Sequence, residues 1–189
     1  IQYFIQTFDT VKADEFLTRF ALLMRSILES SKKKYITLSE EIHQLQLFIS
    51  LEKVRFENKF DYTIEIDERL DQEYKIPPMI FQPFIENAIG HGLYHLKDRK
   101  GTLHIEINAI NDSDIEVIVL DNGIGRKAAA SLRNKNHKSR GLQIVHERID
   151  TINAMNELHI GAQTEDLWNN EIPAGTKVSI IVSMGKETS

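Results

Sequence analysis

The distribution of glycine and proline along the chain sets the strongest limit on its fold. All nine glycines and all four prolines of the 189 residues lie from Pro77 onward, so the first 76 residues contain neither helix breaker. Because these two residues most readily interrupt regular structure, a long stretch without them favours helix. We predict a nearly all-helical domain over residues 1–58 and a second domain, containing strands, over residues 59–189.

The helical domain is predicted to be a hairpin of two helices. Its first helix carries two adjacent apolar stripes at three- and four-residue spacing: Phe16, Phe20, Leu23 and Ile27, and Leu17, Ala21, Met24 and Leu28. The second helix begins at Thr37, which forms a capping box with Glu40. One hairpin cannot cover so wide an apolar face. We therefore favour a four-helix bundle made by two copies over packing of the stripes on the C-terminal domain.

Alternating apolar and polar residues begin near residue 60 and indicate strands. They are predicted over five segments, with a hairpin turn at residues 111–113: 61–67, 103–110, 115–120, 158–163 and 177–183. Pro77-Pro78 is predicted to start a helix that runs to about Tyr94, and residues 140–154 form another. This order indicates an α+β fold, a two-layer α/β sandwich with one helical layer on a largely antiparallel sheet.

Composition removes several classes of function. The absence of cysteine excludes disulfides and thiolate metal sites, and the net charge of −5 argues against direct binding of nucleic acid. There is no apolar run of about 18 residues that could span a membrane. Because the chain begins at Ile1 and not at Met, we expect a preceding segment, through which the parent protein could still be anchored.

Glu86 and Asn87 interrupt a helical segment that is otherwise mostly apolar from Met79 to Ile89. A polar side chain buried there without a partner would cost roughly 1–3 kcal/mol, and an Mg²⁺–phosphate group would supply the partners. Mg²⁺ prefers oxygen ligands and accepts few from the protein, so one Asn87 oxygen with phosphates and water suits it. The alternative is a helix with one solvated edge.

Asp121 follows a predicted strand and precedes two glycines, Gly123 and Gly125. A carboxylate at the end of a strand is well placed to meet a ligand, and it can accept a hydrogen bond from an exocyclic amine such as that of adenine. The glycines allow the backbone to approach a ligand closely and to move as a lid. The alternative is a plain Asp-Asn-Gly turn.

Three further features are weaker by themselves. His91 and His95 have the spacing of zinc ligands on a helix, but a third ligand is not obvious, and we expect His91 to line a nucleotide pocket or cap the helix. Gly175 and Thr176 precede the last strand and most simply serve a turn. A hydroxyl, a basic side chain and a glycine at the start of a helix suit a phosphate: Ser139, Arg140, Gly141 and Leu142.

In order and spacing these motifs resemble the GHKL ATPases, and most closely the LytS-like sensor histidine kinases. The similarity covers nearly the whole chain and rests on six segments: Leu38–Ile42, Arg55-Phe56, Pro77-Pro78, Gln82-Pro83, residues 86–92 and residues 121–125. The resemblance implies a Bergerat-type ATP-binding fold preceded by the helical hairpin. It also implies that Asn87 coordinates Mg²⁺, that Glu86 is a polarising or acid–base group, and that Asp121 reads the adenine amine. The remaining motif residues would form the ATP lid and the phosphate site: Gly123, Gly125, Ser139, Arg140, Gly141, Leu142, Gly175 and Thr176.

The chain departs from the family pattern in two places. Ser139 stands where the second glycine box usually opens with glycine, which could weaken closure around the phosphates. The phosphoacceptor histidine of the family lies in an Asn-Pro-His-Phe segment, and this chain begins at Ile1, just after the place for that segment. His43 matches no acceptor motif and is interpreted as a surface histidine, so we expect this fragment not to autophosphorylate.

The resemblance implies the catalytic core of a bacterial two-component sensor histidine kinase. With ATP and Mg²⁺ as cofactors, the γ-phosphoryl group would pass to a histidine and then to an aspartate of a response regulator, for which a LytTR-type DNA-binding regulator is one candidate. We expect a homodimer, and a cytoplasmic domain of a parent protein anchored in the bacterial inner membrane. Two alternatives stay open: a nucleotide-binding module without kinase activity, and a dimeric interaction protein with a vestigial pocket.

Overall fold

A computed structural model describes residues 10–132, 140–155, 158–170 and 172–184. In this part of the chain there are two compact units. The first combines residues 10–58 with residues 71–79, and the second combines residues 59–70 with the described residues from 80 onward. Within these ranges, none of the helices has the length and hydropathy of a membrane-spanning segment.

The first unit consists of two helices and a short pair of strands. Helix α1 (Thr10–Ser30) and helix α2 (Leu38–Arg55) are joined by a loop that contains strand β1 (Ile36–Thr37). This strand pairs antiparallel with β3 (Lys75–Ile76). Apolar side chains from the helices and strands form the core: Leu23, Ile36, Leu38, Leu45, Ile49 and Ile76. The two helices predicted from the sequence are confirmed.

Helix α2 begins at the predicted capping box. The N–H of Glu40 donates to Oγ1 of Thr37 at 3.0 Å, and the N–H of Thr37 donates to Oε2 of Glu40 at 2.8 Å. The first backbone donors of a helix have no partner inside it, and these two bonds supply partners on the spot. Residues within one turn of each other therefore fix this boundary, which explains why the sequence located it.

The second unit contains five strands: β2 (Phe60–Ile66), β4 (Gly101–Ala109), β5 (Asp114–Asp121), β6 (Leu158–Asn169) and β7 (Ile172–Met184). They form one sheet of order β2-β4-β5-β7-β6. β2 runs parallel to β4, and the other neighbouring strands are antiparallel. The largely antiparallel sheet and the turn at residues 111–113 are as predicted.

Helices cover one face of this sheet. They are α3 (Gln82–Asn87), a π-helix (Ala88–Leu93), α4 (Arg126–Leu132) and α5 (Arg140–Ala154). Every second residue of the central strands is buried, and apolar helix residues supply the other half of the core: Ile105, Ile107, Val117, Val119, Ile180 and Val182 from the sheet, and Phe84, Ile85, Ile89, Val145 and Ile149 from the helices. This confirms the two-layer α/β sandwich.

The helix predicted to start at Pro77-Pro78 begins only at Gln82. A proline disfavours helical conformation in the residue before it, so the proline pair extends the chain and does not start a helix. Met79 then adopts a φ of +55°, and its N–H donates to the Glu41 carboxylate at 2.7 Å. Pro83 lies in the first turn of α3, where the missing N–H is not needed. Pro83, and not the earlier pair, marks the start of the helix.

Strands β6 and β7 are much longer than the predicted segments 158–163 and 177–183. Their pairing continues to Asn169 and Ile172, with one irregularity between Leu167 and Trp168. Several of the added β6 residues are polar, so apolar alternation did not reveal them. Antiparallel pairing satisfies backbone donors and acceptors whatever the side chains are, and this lets the hairpin extend past its apolar part.

Candidate functional site

Asp121 is a buried carboxylate at the end of β5. Its neighbours in register are Leu103 on β4 and Thr176 on β7, and its exposed fraction is only 4%. The N–H of Gly123 donates to its Oδ1 at 2.8 Å. Burial raises the pKa of Asp121 to about 6, although hydrogen bonds from Gly123 and Thr176 act in the opposite direction. The carboxyl group is therefore largely removed from water, and its hydrogen bonds only partly offset the cost of burying its charge.

Three glycines allow backbone segments to close around Asp121. A methyl group on Gly92 would lie 2.7 Å from Oδ1 of Asp121, and one on Gly123 would lie 2.4 Å from the carbonyl carbon of Gly92. A methyl group on Gly175 would lie 1.9 Å from the carbonyl oxygen of Asp121. A methyl group on Gly123 or Gly175 would meet backbone atoms, and one on Gly92 would meet the Asp121 carboxylate itself, so these close approaches depend on glycine. The hinge role predicted for Gly123 and Gly125 stays a prediction.

The helix opposite Asp121 changes its winding within the motif. α3 becomes a π-helix at Ala88, and the N–H of Tyr94 bonds to the carbonyl of Ile89 at 2.9 Å, five residues back. The N–H of Ile124 donates to the carbonyl of Gly92 at 3.2 Å, which joins the π-helix to the segment after Asp121. Short π-helical turns occur frequently at functional sites. Here the turn brings Gly92 against the carboxylate.

Asn87 and Glu86 are adjacent in sequence but differ in position. Asn87 is half-buried and lines the cavity described below, and its Nδ2 donates to the carbonyl of Pro83 at 2.6 Å. That bond uses the amide nitrogen, so the carboxamide oxygen is directed away from the Pro83 carbonyl. Glu86 is exposed and is not among the cavity-lining residues. Neighbouring residues on an α-helix point about 100° apart, which separates the two side chains.

A cavity of about 340 Å³ lies between α3, the π-helix, α4, α5 and the β6–β7 hairpin. Its size is that of a small-molecule site. Five of the predicted site residues line it: Asn87, His91, Asp121, Gly125 and Thr176. Two more belong to the motif at residues 86–92: Ala88 and Gly92. Sequence reasoning had not singled out the other seven: Phe84, Arg126, Ala129, Ala130, His146, Thr164 and Val178.

The predicted phosphate segment is only partly described. Arg140, Gly141 and Leu142 form the first turn of α5, as the sequence predicted. Ser139 and the side chains of these three residues lie outside the described part of the chain. The cavity wall does include His146, further along the same helix.

The described cavity wall carries basic side chains beside Asp121, and Arg126 among them is already paired. His91, Arg126 and His146 are basic, whereas Asp121 is the one acidic residue among the described lining residues, and burial favours its neutral form. Arg126 forms a two-point ion pair with Asp166 on β6: Nε to Oδ1 at 2.7 Å and Nη2 to Oδ2 at 2.9 Å. Within the described ranges, no group of three His, Asp or Glu side chains could hold a metal ion.

Comparison with known proteins gives related sequences. A family model described as histidine kinase matches residues 1–60. The sensor protein LytS of Oceanobacillus iheyensis is 29% identical over 162 residues, which cover 80% of this chain and 27% of LytS. LytS of Staphylococcus epidermidis is 35% identical over 118 residues, which cover 62% of this chain and 19% of LytS. The chain is similar in sequence to LytS-type sensor histidine kinases. It spans only about a quarter or a fifth of the length of these two relatives.

Solved structures of histidine kinases share the fold of this chain. The histidine kinase domain of the blue-light activated kinase of Erythrobacter litoralis aligns with a TM-score of 0.57 at 15% identity, covering 91% of this chain and 76% of that one. The kinase ThkA in complex with the response regulator TrrA gives 0.53 at 17%, covering 98% and 53%. Full-length ShkA in complex with AMPPNP gives 0.52 at 13%, covering 86% and 35%. At these identities the likeness concerns the fold alone.

Proposed function

We propose that this chain is the ATP-binding catalytic core of a bacterial two-component sensor histidine kinase. The observation that carries the proposal is the buried Asp121 carboxylate, enclosed by Gly92, Gly123 and Gly175 on a cavity that Asn87 also lines. Burying a carboxylate costs free energy, and a ligand that donates a hydrogen bond to it would offset this cost. The relationship to LytS and the ShkA complex with an ATP analogue agree with a nucleotide as that ligand.

The base of the nucleotide fits the end of the cavity at Asp121 and Thr176, which we call the base end. The Asp121 carboxylate would accept a hydrogen bond from the exocyclic amine of adenine. Apolar residues line the same cavity and can pack on a planar base: Phe84, Ala129 and Val178. Adenine would be selected by one hydrogen bond to Asp121 and by packing against these apolar side chains.

The phosphates and Mg²⁺ fit the helical side of the cavity. The carboxamide oxygen of Asn87 is a suitable single protein ligand for Mg²⁺. His91 and the N–H groups in the first turn of α5 would donate hydrogen bonds to the phosphates. ATP supplies the γ-phosphoryl group, and the residues of this chain position it and balance its charge. Glu86 stays a candidate for the polarising role, on the solvent side of Asn87.

Binding of a nucleotide with Mg²⁺ tests this assignment. We expect calorimetric titration to show micromolar binding of ADP that Mg²⁺ strengthens. Asn87→Ala should remove most of the Mg²⁺-dependent gain, about tenfold, because it removes an oxygen ligand, and should leave adenosine binding unchanged. Asn108→Ala is the matched control, since Asn108 lies on β4 outside the cavity. If Mg²⁺ strengthens binding equally in the Asn87→Ala variant, Asn87 is not the metal ligand.

Dimerisation is proposed from the exposed apolar stripe of α1. Leu17, Phe20, Met24 and Leu28 share one face of the helix and are 39–58% exposed, whereas Leu23 on another face is buried. Such a stripe is the surface that a four-helix bundle covers. We expect light scattering to show a dimer that Phe20→Glu converts to a monomer. Leu22→Glu is the control, because Leu22 is 48% exposed on a different face. A wild-type monomer at tens of micromolar would contradict the bundle.

The proposed partner is a response regulator. ThkA, whose fold this chain shares, was solved with the response regulator TrrA, and this supports a partner of the same class. Phosphoryl transfer to a histidine and then to the regulator's aspartate, and anchoring of the parent protein in the inner membrane, are part of the same proposal. Phosphorylation of a longer stretch of the parent protein would test the transfer. Absence of a labelled histidine there would favour a nucleotide-binding module without kinase activity.

A further inference from the structure

Arg126 and Asp166 form an ion pair close to the base end of the cavity. Asp166 on β6 is in register with Thr176 on β7, and Thr176 is in register with Asp121 on β5. The three residues form one row across the sheet. Adjacent strands are about 4.8 Å apart, so the backbone positions of Asp166 and Asp121 are about 10 Å apart. The ion pair thus lies beside the residues that would hold the base.

The geometry of the pair fixes the side chain of Arg126. Two parallel bonds of 2.7 Å and 2.9 Å join its guanidinium to both carboxylate oxygens of Asp166. A two-point contact of this kind fixes the plane of the guanidinium as well as its distance, which a lysine could not do. Arg126 is the first residue of α4, so the pair holds the start of that helix to β6.

The residue before Arg126 also lies close to β7. Gly125 has a φ of +76°, and a methyl group on it would lie 3.0 Å from Cβ of Pro173 on β7. The N–H of Ala129 donates to the carbonyl of Gly125 at 3.0 Å, which links this anchored turn to the helix. Ala129 and Ala130 line the cavity, but their side chains end at Cβ and cannot change rotamer to contact a ligand. Their contribution to the wall depends on where the backbone of α4 is held.

We propose that the Arg126–Asp166 ion pair seats the start of α4 over the base end of the cavity and thereby sets the affinity for the base of the nucleotide. The inference rests on the proposed function and deepens it, because it assigns two positioning residues to the same site. A wall that is already in place when the ligand arrives does not have to be ordered at the moment of binding, and this strengthens binding. Asp166 acts through Arg126 and touches no ligand.

Adenosine and ADP separate contacts to the base from contacts to the phosphates. In calorimetric titrations we expect Asp166→Asn and Arg126→Gln each to weaken binding of both ligands by the same factor, about five- to tenfold. The double variant Arg126→Asp/Asp166→Arg restores the pair with its charges exchanged, and should bind within about twofold of the wild type. Such a rescue would not follow if the substitutions merely damaged the fold.

Asp61→Asn is the matched control for losing an ion pair. It removes the 2.6 Å pair between Asp61 and Lys100, whose side chains are both about half exposed and lie outside the cavity wall. We expect it to bind both ligands like the wild type. The inference is overturned if the single variants bind normally, if only ADP is weakened, or if charge exchange gives no rescue. A wild-type protein that binds neither adenosine nor ADP would instead refute the proposed function itself.

Discussion

Asp121→Asn is expected to abolish binding of adenine nucleotides and, at the same time, to make the ligand-free protein more stable. The loss of binding follows because an amide in place of the carboxylate presents a donor where the adenine amine needs an acceptor, and an unpaired donor in a buried site is costly. We expect affinity for ADP to fall at least about 100-fold, since a buried polar mismatch discriminates strongly. Calorimetric titration measures this directly.

The gain in stability follows from the raised pKa of Asp121. Burial moves this pKa from the ordinary 3.8 to about 6, so the folded protein keeps a proton that the unfolded chain releases between about pH 4 and pH 6. The free energy of unfolding therefore falls as the pH rises through this window. About two pKa units correspond to roughly 3 kcal/mol, which is the cost of the buried charge above pH 6.

The Asp121→Asn variant carries no such charge and should avoid this cost. We expect its free energy of unfolding to exceed that of the wild type by about 2–3 kcal/mol at pH 8 and by little at pH 4. Urea unfolding at the two pH values is the measurement. Asp67→Asn is the contrasting control, because Arg69 holds the pKa of Asp67 below its usual range and no gain at pH 8 is expected. Equal stability of Asp121→Asn and wild type at pH 8 would show that the carboxylate is not desolvated.

The parts of the fold that the sequence predicted depend on neighbouring residues. The capping box at Thr37 joins residues three positions apart, and the alternation that located β4 and β5 has a period of two. The position of Asp121 at the end of β5 followed from the same alternation. In each case the physical cause acts within one turn or one strand, so the residues that carry it are close together in the chain.

The parts that the sequence did not predict depend on residues far apart. Arg126 lines the cavity and pairs with Asp166, forty positions away, and nothing beside Arg126 in the sequence indicates this. His146 reaches the wall only because α5 packs on the sheet. Val178 could have been found, since it lies two residues after Thr176 on the same face of β7 and period two places both side chains together.

The close approaches at the site were also beyond local reasoning. The sequence places Gly92 and Gly123 in two separate motifs, but it does not indicate that one packs against the other. That contact depends on the π-helical turn, which shifts every later residue of the helix around its axis. The different directions of the Glu86 and Asn87 side chains are an exception. Helical periodicity alone predicts them, so the two residues could have been assigned to different sides of the helix.

Gly175→Ala is expected to unfold the second unit or to bring it close to unfolding. Gly175 has a φ of +130°, a conformation that residues with a side chain rarely adopt. A methyl group there would lie 1.9 Å from the carbonyl oxygen of Asp121 and 2.8 Å from Cα of Asn122. Both obstacles are backbone atoms, so no side-chain rotation can relieve the clash.

Relief of this clash must move one strand away from the next. Gly175 precedes Thr176, which pairs with Asp121, so the displacement would break the β5–β7 ladder at the position of the proposed base contact. We expect the free energy of unfolding to fall by about 4–5 kcal/mol or more, because strain and overpacking add to the lost hydrogen bonds. A domain is typically stable by only about 5–15 kcal/mol, so such a loss can be decisive.

Gly161→Ala provides the control on the partner strand of the same hairpin. Gly161 lies in β6, and a methyl group on it would have no neighbour within 4 Å. We expect its free energy of unfolding to stay within about 0.5 kcal/mol of the wild type or to rise slightly, since alanine loses less backbone freedom on folding than glycine. Urea unfolding followed by circular dichroism measures both variants. If Gly175→Ala unfolded at the same urea concentration as Gly161→Ala, the strand would have to accept a side chain at residue 175, and the close approach to Asp121 could not be part of the site.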